Sequence, residues 1–322
     1  MPGLRSFFKT GMLFFGLVMF ITGCAERQPI TVASHVWVGY EPMFLAREMG
    51  RLDPNLARLH ETASATESVQ ALREGKVDGA ALTLDELLRA RSQGIPLTAV
   101  LVFDVSAGAD LVLARPSLGT LSQLKQQRIG VEEGAVGMMM LQAALERAGL
   151  TAQDVQVINL LADDHVTAWK KGEVDAIVTY EPAASQIRDL GAVTLFDSSQ
   201  IPGAIVDVLA IRTDRLDEAH RVALEHLVSA HFQGLLHFQR NPQDAAFRMA
   251  SHLGLKPSQV GAAYRGLFLP DVENNYRMLK GAQATLPNSA NILVSKMVAQ
   301  RLLPAHDGLE KLVSADYLPV MP

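Results

Sequence analysis

One repeat distance organises this chain. Gly75, Val77 and Asp78 recur as Gly172, Val174 and Asp175, 97 residues later. The run Asp110-Leu111-Val112-Leu113-Ala114-Arg115 returns at the same distance as Asp207-Val208-Leu209-Ala210-Ile211-Arg212. Near an offset of 99, Ile30, Val32 and Gly50 match Ile129, Val131 and Gly149. Gly-x-Val-Asp alone says only that a helix hands over to a strand. Three correspondences near one distance describe a duplicated unit, and 322 residues leave room for two units and an extra part.

Within each unit strands alternate with helices. Ile30 to Trp37 is β-branched and alternating, hence a strand. Glu41 to Gly50 follows as a helix with Gly50 as its C-cap. Ser64 to Arg73, Asp78 to Leu82, Leu84 to Ser92 and Leu97 to Phe103 continue as helix, strand, helix and strand. The second unit runs through Arg128 to Glu132, Gly137 to Ala148, Val155 to Leu160, Asp163 to Lys171, Asp175 to Thr179, Ala183 to Leu190 and Val193 to Phe196. Strands separated by short helices predict open, mostly parallel sheets. The fold class is therefore α/β, with two Rossmann-like lobes. The two Asp-to-Arg strands are where the chain crosses between them, a two-strand hinge near Leu111 to Arg115 and Val208 to Arg212. Residues 30–112 and 207–322 then form the first lobe and 113–206 the second. From Asp217 onward apolar positions recur at helical spacing, so this part is mainly helical. His220, His226, His231 and His237 lie there at spacings of six, five and six, which put no pair three or four apart on one helical face, and no metal is expected.

The N-terminus differs from the rest. Arg5 and Lys9 precede an apolar run from Met12 to Ile21. A run of about ten residues is too short to span a hydrocarbon core of about 30 Å, so residues 1–23 read as a secretion signal. The run closes on Ile21-Thr22-Gly23-Cys24, and Cys24 is the only cysteine, which excludes an internal disulfide. These four residues resemble a bacterial lipobox, with Thr22 where Ser or Ala is more usual. The resemblance implies cleavage before Cys24, lipidation of its side chain and a membrane-anchored, extracytoplasmic protein. Ala25, rather than Asp, allows sorting to an outer membrane. Loss of residues 1–23 leaves 27 basic and 34 acidic residues, a net charge of −7, with no Lys/Arg-rich run. Nucleic acid is not an expected partner.

In open α/β sheets, ligands bind beyond the carboxyl ends of the strands. Two lobes would thus face each other through strand-to-helix loops: 37–41, 62–68, 83–85, 103–110, 132–137, 161–165, 179–182 and 197–207. None of these segments contains Lys or Arg, whereas they carry Asp104, Asp110, Glu132, Glu133, Asp163, Asp164, Glu181 and Asp207. Trp37, Tyr40, Phe103 and Tyr180 supply aromatic faces. Acids with aromatics suit a cationic or donor-rich nitrogenous molecule. The candidate ligand contacts are Trp37, Tyr40, Thr83, Asp104, Asp110, Glu132, Tyr180, Glu181 and Asp207. Several of these acids could equally serve as helix caps, Glu41 and Glu181 among them. The alternative ligand is an anion held by helix N-termini at the Gly39 and Gly134 to Gly137 turns, against repulsion from the same carboxylates. The chain has no P-loop, no Gly-x-Ser-x-Gly and no His-Glu-x-x-His. No catalytic residue, cofactor or metal is assigned.

Several short motifs carry a resemblance. They are Trp37-Val38-Gly39-Tyr40-Glu41-Pro42 with Ala46-Arg47-Glu48-Met49-Gly50, and Gly75-Lys76-Val77-Asp78-Gly79-Ala80. Gly108-Ala109-Asp110, Gly130-Val131-Glu132, Val174-Asp175-Ala176 and Tyr180-Glu181-Pro182 continue the series. From about Ile30 to Arg212 the chain resembles the periplasmic solute-binding proteins of the nitrate/sulfonate/taurine and thiamine-pyrimidine-precursor type. The resemblance implies the type II periplasmic binding protein fold and a monomer that delivers a small molecule to the permease of an ABC transporter. It leaves the ligand open. A sensor reporting to a membrane receptor would read the same. A pyrimidine-synthesising enzyme class shares the fold, but this chain lacks its Cys-rich iron motif. A LysR-type effector domain would need a helix-turn-helix where the export signal stands.

Overall fold

The computed structural model describes residues 28–304 and 309–320. The signal at 1–23 and the lipobox Cys24 lie outside the described residues. The first unit comprises β1 (Ile30–Ser34), α1 (Glu41–Glu48), β2 (Ala57–Glu61), α2 (Ala65–Arg73), β3 (Gly79–Thr83), α3 (Leu84–Ser92) and β4 (Leu97–Ser106). The second comprises β5 (Leu111–Ala114), β6 (Arg128–Val131), α4 (Gly137–Arg147), β7 (Gln156–Asn159), α5 (His165–Lys171), β8 (Ala176–Thr179), α6 (Ala183–Asp189) and β9 (Val193–Asp197). The chain then continues through β10 (Val206–Arg212), α7 (Arg221–Arg240), α8 (Pro242–Met249), α9 (Pro257–Ala263), β11 (Leu267–Phe268), α10 (Val272–Leu279) and α11 (Thr285–Ala299). No helix among the described residues is long and apolar enough to cross a membrane.

Two sheets result, ordered β11-β4-β10-β3-β1-β2 and β7-β6-β8-β5-β9. In each, three strands run parallel and one antiparallel strand inserts next to them: β10 beside β3, β5 beside β8. The duplication is therefore a duplication of registers. Val32 pairs with Gly79 and Ile129 with Ala176, both 97 residues apart between the sheets. Val208 faces Leu82 and Leu111 faces Thr179, again shifted by 97. The strand mate of Ile129 is thus Val32, not Ile30; the offset of 99 holds only for Gly50 and Gly149, the left-handed glycines that follow α1 and α4.

The repeated Asp78 and Asp175 explain the Gly-x-Val-Asp motif. Asp78 accepts the Thr31 N–H (2.9 Å) and Asp175 the Arg128 N–H (3.0 Å), satisfying a donor at the start of β1 and of β6. Their carbonyls receive the Arg212 and Arg115 N–H groups. These acids fix strand register and play no part in the cleft.

The chain passes between sheets twice, through 107–110 and through 198–205. The two strands expected to cross lie along their length within a single sheet, β5 with β8 and β9, β10 with β3 and β4. A strand hydrogen-bonded on both edges cannot absorb a rotation, so the boundaries shift from within these strands to the loops before them. Gly108 (φ +126°) sits in the first loop and its backbone touches Gly266, where a Cβ would lie 2.7 Å from the Gly108 carbonyl carbon. The helical C-terminal part packs on the first lobe. Gly234 of α7 lets that helix press onto α1, since a Cβ there would stand 1.9 Å from the Pro42 carbonyl oxygen.

Candidate functional site

The turn after β1 carries His35, Trp37 and Tyr40 across the carboxyl end of the first sheet, and each is buried. The Trp37 indole N–H donates to Asp104 Oδ2 at 3.0 Å. Gly39 makes room for that carboxylate, because a Cβ at this position would lie 1.7 Å from the same oxygen. The Tyr40 hydroxyl donates to Asp207 Oδ1 at 2.5 Å. Asp104 on β4 and Asp207 on β10 are cross-strand neighbours. Burial pushes Asp104 up to about 7. Burial and then the Asp104 charge hold Asp207 well above the carboxylate range. Two fully buried acids in this relation share a proton, as like charges at short range cannot both ionise cheaply.

Asp110, just before β5, reaches the same space from the loop between the sheets. Burial raises it to about 6, and its Oδ2 has no partner among the described residues. Glu86, in the first turn of α3, accepts the Thr83 N–H (2.9 Å) and the Val136 N–H (3.2 Å). Burial and the neighbouring Asp85 charge raise it to about 8 against those two donors. From the second lobe, Tyr180 sets its ring edge-on to Trp37, with centroids 5.3 Å apart. Its hydroxyl and His35 Nδ1 are buried without partners among the described residues. Burial depresses His35 to about 4, so the ring is neutral at physiological pH.

These groups enclose a cavity of about 10 Å³ lined by His35, Trp37, Tyr40, Thr83, Glu86, Asp110, Val136, Tyr180 and Asp207. That is space for about one water. No Lys or Arg among the described residues lines it. Among the described residues, no group of three or more His, Cys, Asp or Glu has metal-binding geometry. The arrangement suits a species that donates hydrogen bonds to acids and rests against aromatic faces.

Six of the nine expected contacts line this cavity: Trp37, Tyr40, Thr83, Asp110, Tyr180 and Asp207. Thr83 turns its hydroxyl to Asp85 (2.7 Å). Asp104 stands one layer behind, on Trp37 and Asp207, with its Oδ1 unpartnered among the described residues. Glu132 sits between the lobes and accepts the Thr66 N–H (3.0 Å) and hydroxyl (2.5 Å). Glu181 is not in the cavity. It is held by Arg188 and by the Ser185 N–H, beside the groove along the first crossing loop. Its loop has no basic residue, but α6 supplies one, which a loop-by-loop reading does not see. His35 and Glu86 line the cavity without having been expected there. Glu86 lies one residue beyond its loop, although Thr83-x-x-Glu86 is a capping-box spacing that directs a third-position acid back toward the strand end.

The model of the NMT1-like family matches residues 23–251, well over half of the chain. The chain belongs to the NMT1-like family. This agrees with the resemblance carried by the motifs around Trp37, Gly75 and Tyr180. Among curated relatives of this NMT1-like protein, the taurine-binding periplasmic protein of Escherichia coli (strain K12) is 28% identical over 154 residues, 47% of this chain and 48% of that one. The match thus spans about half the length of that relative. Among solved structures, the alkanesulfonate-binding protein SsuA from Xanthomonas axonopodis pv. citri, bound to MOPS, superposes with a TM-score of 0.76 at 19% identity, over 90% of this chain and 99% of that one. The periplasmic nitrate-binding protein NrtA from Synechocystis PCC 6803 superposes with a TM-score of 0.71 at 14% identity, over 91% and 87%. At such identities the likeness establishes the fold, which is the two-lobed periplasmic binding protein fold.

Proposed function

We propose that this protein is the extracytoplasmic solute-binding component of an ABC importer and that its solute is a small cationic or donor-rich nitrogenous molecule. The observation that carries the ligand class is the cavity wall: Asp110, Asp207 and Glu86 face the space, Asp104 backs them, and no basic side chain among the described residues joins them. An organic ammonium or an aminopyrimidine ring would donate to these oxygens. Trp37, Tyr40 and Tyr180 would supply cation–π or stacking contact. This departs from the anions named for the relatives, whose family membership supports the binding role but whose ligands do not transfer across so distant a match.

The cavity is too small for such a molecule while the lobes are shut, so entry requires rotation about 107–110 and 198–205. Closure by a few connecting residues is the usual behaviour of two-lobed clamps. Anchoring through a lipidated Cys24 would keep a monomeric binder at the membrane beside its permease.

Isothermal calorimetry with amines, aminopyrimidines, taurine, alkanesulfonates and nitrate tests the reading. Micromolar binding of an amine or aminopyrimidine is expected. Binding of nitrate or a sulfonate with no response to the nitrogenous compounds would falsify it and favour the anion alternative.

A further inference from the structure

Two contacts across the cleft are reciprocal. Glu132, after β6 in the second lobe, places Oε1 on the N–H (3.0 Å) and hydroxyl of Thr66, the second residue of α2 in the first lobe. Glu86, on α3 of the first lobe, places Oε1 on the N–H of Val136 (3.2 Å), the residue preceding α4 in the second lobe. Arg89, one turn after Asp85, reaches the carbonyls of Glu133 and Ala135 (both 3.3 Å), which closes the same seam. Gly134 comes so near Thr66 that a Cβ would be 2.7 Å from its hydroxyl oxygen.

Helix N-termini present free N–H donors and the positive end of a dipole, so one that faces a cleft is a place for an anion. Here both are already occupied, each by a carboxylate from the opposite lobe. Glu132 is 3% exposed and its second oxygen, Oε2, has no partner among the described residues. That oxygen is a buried acceptor left unspent at the seam between the lobes.

We infer that Glu86 and Glu132 are specificity-determining residues: a reciprocal pair of carboxyl groups that occupies the N–H donors at the α2 and α4 N-termini when the clamp shuts and so leaves them closed to anionic solutes. This role rests on the cleft being the solute site, but not on which nitrogenous molecule binds there. It explains how a fold shared with sulfonate- and nitrate-binding proteins could reverse its charge preference with two side chains and no new cation.

The test is gain of anion binding. Sulfate and methanesulfonate are titrated calorimetrically at neutral pH into the parent protein, Glu132→Gln, and the double variant Glu86→Ala/Glu132→Ala. The parent should show no binding at millimolar anion. The double variant should bind at least tenfold more tightly than the parent's limit, with Glu132→Gln between them. Glu132→Gln keeps the side chain's size and one acceptor, so it separates lost charge from lost packing should the double variant fold poorly. Folded variants that still refuse both anions, or a parent that binds them as tightly as the variants, would overturn this role. Nitrogenous ligands titrated into the parent alone test the ligand class separately.

Discussion

Replacing Asp207 by Asn should stabilise the ligand-free protein at neutral pH while weakening its hold on a cation. The amide keeps an acceptor for the Tyr40 hydroxyl and can donate toward Asp104, as the protonated acid does. Burial and then the Asp104 charge hold the Asp207 carboxyl, the group that the substitution removes, well above the carboxylate range. The fold therefore favours the protonated pair. The stability this gives is fully present below the ordinary carboxylate value of about 4 and is lost as pH rises through the raised value of Asp207. Full burial raises a carboxyl's pKa by up to about 3–5, each whole step being worth about 1.4 kcal/mol, and allowing for water entry and for the Asp104 that both proteins keep we expect about 2–4 kcal/mol. Buried His35 and His165, held near 4, and His231, held near 3, act in the opposite sense, losing stability as pH falls below 6.5. They are common to both proteins and cancel in the difference. Urea unfolding at about pH 4.5 and about pH 7.5 should show the Asn variant gaining on the parent by about 2–4 kcal/mol, or roughly 5–10 °C in Tm. At the higher pH its cation affinity should fall at least tenfold, since removing one partner of a buried charged hydrogen bond costs about 2–5 kcal/mol. A stability difference that does not change with pH would refute the shared-proton account.

Gly39→Ala should abolish ligand binding and lower stability by about 2 kcal/mol or more, because the new Cβ collides with the Asp104 carboxylate; calorimetry and thermal unfolding read both. Glu181→Gln should leave cation affinity within about twofold, as Arg188 engages Glu181 outside the cavity; a loss beyond tenfold would return Glu181 to the site. Cys24→Ala should move the protein from the membrane to the soluble fraction on fractionation, and a parent that is itself soluble and unacylated would exclude the lipid anchor.

The lobes are legible in the sequence because their signals are local. Leu84 to Ser92 is a helix in both, and the 97-residue offset survives as an offset in strand pairing. β2 (Ala57–Glu61) escapes detection because it is a short, mostly exposed edge strand whose alternation rests on Ala57 and Leu59 alone. α10 is hidden by a polar run, although Asp271 caps it and Asn275 of the same helix is fully buried, bonded to the backbone of Val102. In the site, the aromatic and acidic residues of the turns can be found because strand ends face the cleft. What cannot be found are relations between lobes. Glu86 meets Val136 across 50 residues and Glu132 meets Thr66 across 66, and no periodicity records such a pairing.

The duplication also accounts for the charge of the cavity. Asp78 and Asp175 are repeat mates that end far from the cleft, each tied to the start of a parallel strand. Asp110 and Asp207 are mates too, but they stand at the start of the two antiparallel strands that follow the crossings between sheets. Because each of these strands begins at the seam between lobes, duplication brings its two acids to one cavity rather than to two equivalent sites. There they join Glu86 around a space of about 10 Å³, with Asp104 one layer behind. A closed cavity of that size cannot hold several bare carboxylates. Either protons or a positively charged guest must neutralise them. On the proposed reading, closure, proton uptake and the charge of the solute form one linked equilibrium, and the solute that shuts the clamp at neutral pH would be one that replaces the protons.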